Sequence, residues 1–402
     1  MTSAEQAAGD APPLQGTRVL DLGHIVAGPM VGAILGDFGA DVIKIENPAL
    51  HDQLRKLIPH RETGLGLWSK VEDRNKRPIT INLKSAEGAE IFRRLAASAD
   101  VIVDNYRPNT LGDLGLGDDA LLELNPRLII CHITGWGMTG PFAPRSAYGR
   151  IAEATSGFAN LNGESDGPPR HSAMSLGDTV ASIWAAYGVM LAIVARDRDG
   201  RGQVIDIGLH EPLFRQIETQ VIALDQNGVA ISRQGNRNAT APIANLFLTA
   251  DGRYYTVGSA TPRTLDAIIG IAGLDQWPNL ATSEAVHQNV EEFHERLGEW
   301  MRLRTAAEID ELFAAADAAG APVLSVDEIV AHPQIIARDM VIEVPDDELG
   351  TVRMPGVVPK LLRTPGAVRH AGRAAGAANA EVLAELGYDA ADLERLRDAG
   401  II

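Results

Sequence analysis

Short apolar runs alternate with longer amphipathic ones through the first half of the chain. Arg18-Val-Leu-Asp-Leu22 has the length and apolar content of a buried strand. Gly28-Pro29 then lead into a helical stretch at residues 30–38, Gly39-Ala40 close it, and residues 41–46 read as a second strand. A strand–helix–strand run of this kind implies parallel strands with a right-handed crossover. The alternation continues with a strand at 78–83, a helix at 85–97, a strand at 99–104, a short helix ending at 121–124 and a strand at 128–133. The expected fold class is α/β, a Rossmann-like doubly wound parallel sheet.

Asp178 precedes an uncharged apolar run at 179–195, which is just short of the roughly 18 to 20 residues a membrane span needs. It predicts a buried core helix, followed by a loop at 196–203 and a strand at 204–207. After about residue 225 the texture changes to a polar loop at 235–242 and a strand pair at 244–249 and 254–258, joined at Asp251-Gly252. Helices follow at 263–271, 291–303 and 306–316. The expected organisation is a tail at 1–13, a large domain at 14–224, a smaller α+β domain at 225–330 and a C-terminal segment at 331–402. That last segment carries helices at 380–386 and 393–397, punctuated by Pro355, Pro359 and Pro365.

Charge narrows the choice of partners. With 36 Lys+Arg against 53 Asp+Glu the formal net charge is −17, which disfavours nucleic acid as a partner. A local basic patch still suits a small anion. One cysteine, Cys131, excludes an internal disulfide and a Cys-based zinc site, and the ten histidines form no metal-ligand spacing. The acidic, Ala-rich start has neither the basic beginning nor the apolar core of a signal peptide, so a cytoplasmic protein is expected.

Two familiar motifs are set aside. Gly135-x-Gly137-x-x-Gly140 follows a strand but runs into Pro141 and Pro144, whereas a dinucleotide fingerprint opens a helix. Gly163-x-Ser165-x-Gly167 is followed by Pro168-Pro169 and reads as a surface turn, not a nucleophile elbow. Five of the six lysines lie between residues 44 and 84, around the basic turn Arg74-Asn-Lys76-Arg77. With Asn105-Tyr106-Arg107 at the end of a strand, that turn could hold phosphates and stack an adenine. Ordinary solvated charges are an equal alternative. Asp178 has two readings as well: an N-cap of the long helix, which leads on sequence alone, or a carboxylate kept ionised by the helix N-terminus and available as a nucleophile.

Taken together, Gly16-Thr-Arg-Val-Leu-Asp-Leu22, Ala27-Gly28-Pro29 and Gly39-Ala-Asp-Val-Ile-Lys-Ile-Glu46 resemble the start of the class III CoA-transferases, which include formyl-CoA:oxalate and carnitine and bile-acid CoA-transferases. The likeness continues through Asn75-Lys76-Arg77, Asn82-Leu-Lys84, Asn105-Tyr-Arg-Pro108, Thr134-Gly-Trp-Gly137 and Gly202-Gln-Val-Ile-Asp-Ile207 to the C-terminus. The resemblance implies a large domain built from both chain ends, an interlocked homodimer, and Asp178 as a covalent nucleophile that outranks the cap reading. It implies an acyl-CoA and a free carboxylic acid as substrates, with the coenzyme A thioester a substrate and no permanently bound cofactor. It assigns His24, Val26, Arg74, Lys76, Asn105, Tyr106 and Arg107 to the coenzyme and Tyr148, Gly149 and Arg150 to the acid. Three positions depart from the pattern: Val26, where the oxalate enzyme carries Gln, and Asn47 and Asp113, where it carries arginines. Racemases of the same fold need a His where this chain reads Ala147-Tyr148-Gly149-Arg150, which leaves racemase, or a non-catalytic acyl-CoA-binding relative, as the alternative.

Overall fold

Six parallel strands form the main sheet of the computed structural model, which describes residues 11–237, 240–258 and 261–402. Residues 1–10 of the expected tail, and residues 238–239 of the expected polar loop, lie outside the described residues. In chain order the elements are β1 (Arg18–Asp21), α1 (Ala27–Asp37), β2 (Asp41–Glu46), α2 (Leu67–Glu72), β3 (Lys76–Thr80) and α3 (Ala86–Ala96). Then come β4 (Val101–Asp104), α4 (Asp118–Leu124), β5 (Ile129–Thr134), α5 (Gly149–Thr155), α6 (Phe158–Leu161), α7 (Leu176–Asp199) and β6 (Val204–Gly208). The strand order is β3-β2-β1-β4-β5-β6. The order reverses between β1 and β4, so loops leaving those two strands diverge and open a crevice at their carboxyl ends.

Alternate residues of each strand feed two separate cores. Leu20, Ile43, Ile79, Ile102 and Ile130 pack with Phe92 and Leu95 of α3 and with Val382, Leu396 and Ile402 near the C-terminus. Val19, Val42, Val101, Ile129 and Ile133 pack on the other face with Val31 and Leu35 of α1 and Ala181, Ala185 and Val189 of α7. A sheet covered on both faces favours strands with apolar residues on both sides, and charged exceptions such as Lys44 and Glu46 in β2 and Lys76 in β3 are buried and paired.

The chain divides into two compact units. One comprises residues 1–158, 172–217 and 334–402, and the other 159–171 and 218–333. The sequence reading has the borders at 225 and 330 and leaves 159–171 in the large domain. That segment belongs with the second unit because Arg233 Nε donates to the Gly167 carbonyl at 2.8 Å and the Gly235 N–H to the Gly163 carbonyl at 2.9 Å. The second unit has an antiparallel sheet of β7 (Asn245–Leu248), β8 (Tyr254–Val257) and β9 (Gly320–Pro322), packed by Phe247, Tyr255, Leu265, Phe293 and Phe313. In the first unit, β10 (Val341–Asp346) and β11 (Gly350–Pro355) form a hairpin that the proline-punctuated sequence did not suggest.

Candidate active site

At the β1/β4 divergence lies a cavity of about 490 Å³. The loop after β1 contributes His24 and Val26, the loop after β4 contributes Asn105, Tyr106 and Arg107, and the loop before α5 contributes Tyr148. Asp178, in the first turn of α7, completes the wall. Seven of the eleven residues expected at the site therefore meet at one place, although they come from four separate stretches of chain.

The N-cap of α7 is Ser175, not Asp178. The helix begins at Leu176, three residues before the uncharged run, so Asp178 is its third residue. Its carboxylate accepts a hydrogen bond from its own N–H. The neighbouring α5 approaches closely at two glycines. A Cβ on Gly149 would sit 2.3 Å from Asp178 Oδ2, and one on Gly177 would sit 2.6 Å from the Gly149 carbonyl oxygen. Gly149, expected to border the acid, thus abuts the Asp178 carboxylate. Glu153, one turn further along α5, is fully buried and accepts from the N–H and Oγ of Ser172, both at 3.0 Å. Burial, and next the Glu153 carboxylate, push the Asp178 carboxyl up to about 6. The expected lowering by the helix N-terminus is outweighed: removing a carboxylate from water costs more than one helix end returns. At pH 7 about nine-tenths of the group is still ionised, now with the greater basicity that a nucleophile uses.

On the facing wall, Asn105 holds the backbone of His24 from both sides. Its Oδ1 accepts from the His24 N–H at 2.7 Å and its Nδ2 donates to the His24 carbonyl at 2.8 Å. The His24 and Tyr106 rings lie 5.3 Å apart. Burial, then the buried Lys44 ammonium, lower the His24 pKa, which favours a neutral imidazole at the cavity. Burial also raises the Tyr106 phenol, so it stays protonated.

The basic turn is a correction. Lys76 is fully buried and donates to Asp21 Oδ2 and the Pro29 carbonyl, both at 2.7 Å, and to Asp73 Oδ1 at 3.3 Å. Arg74 is engaged with Asp37 at 2.5 Å and the Pro355 carbonyl at 2.7 Å. Arg77 holds Asp41 and Glu385. None of the three lines the cavity, because carboxylates already claim their charges, buried ones for Lys76 and Arg74 and partly exposed ones for Arg77. Arg150 is exposed on α5 and does not line it either. Asn47 caps a local turn at Ala49 and Leu50, and Asp113 accepts from Asn109.

Sequence reasoning missed other cavity residues. Arg145 lies over the Phe142 ring at 3.7 Å and lines the cavity beside Arg107, whose guanidinium donates to Ser146 Oγ. Thr134, the last residue of β5, is buried on the wall with its hydroxyl unpartnered. Its place at the carboxyl end of a strand was the available signal. The two motifs set aside stay so. Residues 135–148 run as turns and loop, and Ser165 is exposed in a turn closed by Gly167 N–H to the Glu164 carbonyl.

Residues 14–379 match the model of CoA-transferase family III. The succinyl-CoA–D-citramalate CoA-transferase of Chloroflexus aurantiacus is 36% identical over 397 residues, spanning 97% of this chain and 98% of that protein. The succinate–glutarate CoA-transferase of Agrobacterium fabrum is 33% identical over 396 residues, spanning 93% and 96%. Among solved structures, a CAIB/BAIF family protein from Brucella suis superposes with a TM-score of 0.83 at 28% identity, covering 94% of this chain and all of that one.

Proposed function

The chain belongs to CoA-transferase family III, and from that premise we propose that it transfers coenzyme A from succinyl-CoA to a dicarboxylic acid through Asp178. The donor and the acid class come from what the two similar enzymes are named for. The single observation that carries the mechanism is the position of the Asp178 carboxylate: raised to about 6, in the wall of the switch-point cavity, across from loops suited to a coenzyme.

The steps balance without another reactant. The Asp178 carboxylate attacks the donor thioester carbonyl, the C–S bond breaks, and a mixed anhydride and CoA thiolate form. The thiolate attacks the aspartyl carbonyl and releases the donor acid as its carboxylate, leaving an aspartyl-CoA thioester. The acceptor carboxylate attacks that thioester and again frees the thiolate. The thiolate then takes the acceptor acyl group and restores Asp178. Covalent catalysis divides one difficult exchange into four easier displacements. Each tetrahedral oxyanion needs preorganised donors, for which the N–H groups at the first turn of α1, beside His24 and Val26, are candidates. In this reading His24, Val26, Asn105, Tyr106 and Arg107 line the coenzyme path, Tyr148 and Gly149 border the acid, and Arg145 faces the acid's distal carboxylate. The working form is a cytoplasmic homodimer.

The test is trapping. Incubation with succinyl-CoA followed by hydroxylamine should place a hydroxamate on Asp178 and nowhere else, and Asp178→Asn should abolish both the label and turnover. Full turnover in the Asn variant would end the proposal. An acceptor panel of D-citramalate, L-malate, glutarate and oxalate identifies the acid. Deuterium wash-in at the α-carbon without any acceptor would redirect the assignment to racemisation.

A further inference from the structure

The least expected backbone in the cavity wall is at Ile25, whose φ is 61°. A β-branched residue in the left-handed region is a steric outlier and persists only where its surroundings impose it. Here the surroundings are specific. Asp52 Oδ1 accepts the Ile25 N–H at 2.9 Å. Lys44 Nζ donates to Asp52 Oδ2 at 3.1 Å and also to the Gly23 carbonyl. Lys44 and Asp52 are both fully buried. Asp52 is fixed in turn, since its own N–H donates to Glu46 Oε2 at 2.8 Å. At the loop's base, a Cβ on Gly23 would meet Gly28 Cα at 2.5 Å, so the two ends of the loop are pinched together.

A connection from β1 to α1 with no other duty could place glycine at 25 and have no strain to hold. This chain instead keeps isoleucine and spends a buried ion pair on it. A buried pair is seldom worth more than an apolar filling for stability alone, and fixing one local conformation is its better-supported use.

We propose that Asp52, anchored by Lys44, is a positioning residue for CoA transfer: it holds residues 24–27 in a backbone conformation Ile25 does not adopt unaided, and so fixes the cavity wall against which the thioester is presented to Asp178. Asp52 does not line the cavity; it reaches the wall through the Ile25 amide, and the same Oδ1 also accepts the Leu54 N–H at 2.9 Å. The inference rests on the reading of this cavity as the transfer site.

A double-mutant cycle tests it, with kcat and KM measured for succinyl-CoA and the best acceptor of the panel. Asp52→Asn in the natural background should lower kcat at least tenfold. In the Ile25→Gly background, where the left-handed conformation carries no penalty, the same substitution should cost threefold or less. An equal loss in both backgrounds marks Asp52 as merely structural and overturns the proposal, as does a loss under twofold in the natural one. Should Asp52→Asn fail to fold, hydrogen exchange on the unmodified protein decides. The Ile25 amide should exchange at least a hundredfold slower than an unstructured amide, and exchange at the free-peptide rate refutes the clamp. An Asp178→Ala control separates the two ideas: retained turnover there sinks the site reading and the clamp's purpose with it, whereas lost turnover with a benign Asp52→Asn sinks the clamp alone.

Discussion

At Asp178 two influences oppose each other. The first turn of α7 favours the carboxylate, while burial and the nearby Glu153 disfavour it, and the outcome is a carboxyl raised to about 6. The folded chain therefore binds this proton more tightly than the unfolded chain does. Stability from this group falls as pH rises through 3.8 to about 6, and the ionised form, the one proposed to react, gains over the same range. The kcat/KM profile should accordingly lose activity on the acid side with an apparent pKa near 6, and Glu153→Gln should move that limb to lower pH. Asp178→Asn should melt higher than the natural chain at pH 7.5 and equally at pH 4, measured by calorimetry. Lys76 gives a contrasting residue-scale case. Its replacement by Gln leaves buried Asp21 with only Lys44 at 3.9 Å and buried Asp73 with only Arg55 at 3.6 Å, a loss of up to about 3–5 kcal/mol in stability, while KM for succinyl-CoA in the folded fraction should hold. Arg107→Gln should do the reverse, raising KM with little change in melting temperature. The sequence could show a basic turn at 74–77 but not where the carboxylates lay. Asp21 comes from β1 and Asp37 from α1, and a charge is free or spent only once those partners are placed.

Between elements, the decisive contact is α5 against the start of α7. The Cβ that Gly149→Ala introduces would fall 2.3 Å from Asp178 Oδ2. The nearest obstructed atom ends a short, rotatable side chain, and the Asp178 backbone nitrogen at 3.3 Å requires only a small shift, so the fold can yield at small cost. What yields, however, is the group proposed to react. Gly149→Ala should therefore keep its melting temperature within a few degrees and lose kcat tenfold or more, in a paired thermal and kinetic assay. Loss of the fold instead of kcat would show the contact to be packing. Elements of this kind were unevenly legible. The strands of the main sheet were readable because a sheet covered on both faces writes itself as uninterrupted Val and Ile runs. The β10–β11 hairpin was not, since Pro345 and Pro355 look like strand breakers. A two-stranded ribbon tolerates them because its outward N–H groups have no ladder partner to lose. The start of α7 was misjudged for a related reason: Leu176 and Gly177 carry no helical periodicity, and the cap at Ser175 makes no side-chain hydrogen bond that would advertise it.

For the molecule as a whole, α7 poses the largest question. The sequence predicts a buried core helix, but only one side is buried, against the sheet, by small residues such as Ala181, Ala185 and Ala192. The opposite side carries Ile183 and Tyr187, each 55% exposed, with Trp184, Leu191 and Val194 beside them. A surface helix normally turns charge outward, and this one has a stretch with mean hydropathy 1.6. The face continues into an apolar hollow of about 760 Å³ bordered by Leu14, Ile34, Phe38, Met190 and Leu361. A bilayer is a poor fit for it, because the same helix is packed along its other side on polar-ended strands that would have to enter the lipid. The homodimer proposed above would cover it, since an apolar face that meets its own copy closes by two-fold symmetry and then stops growing. Light scattering in dilute buffer should give twice the 42.9 kDa chain mass, unchanged by added salt because the contact is apolar. Tyr187→Glu should shift that mass toward the single chain or lower the melting temperature in a concentration-dependent way, as coupled folding and association demand. A natural chain that stays at 42.9 kDa at micromolar concentration would leave α7 needing a different partner.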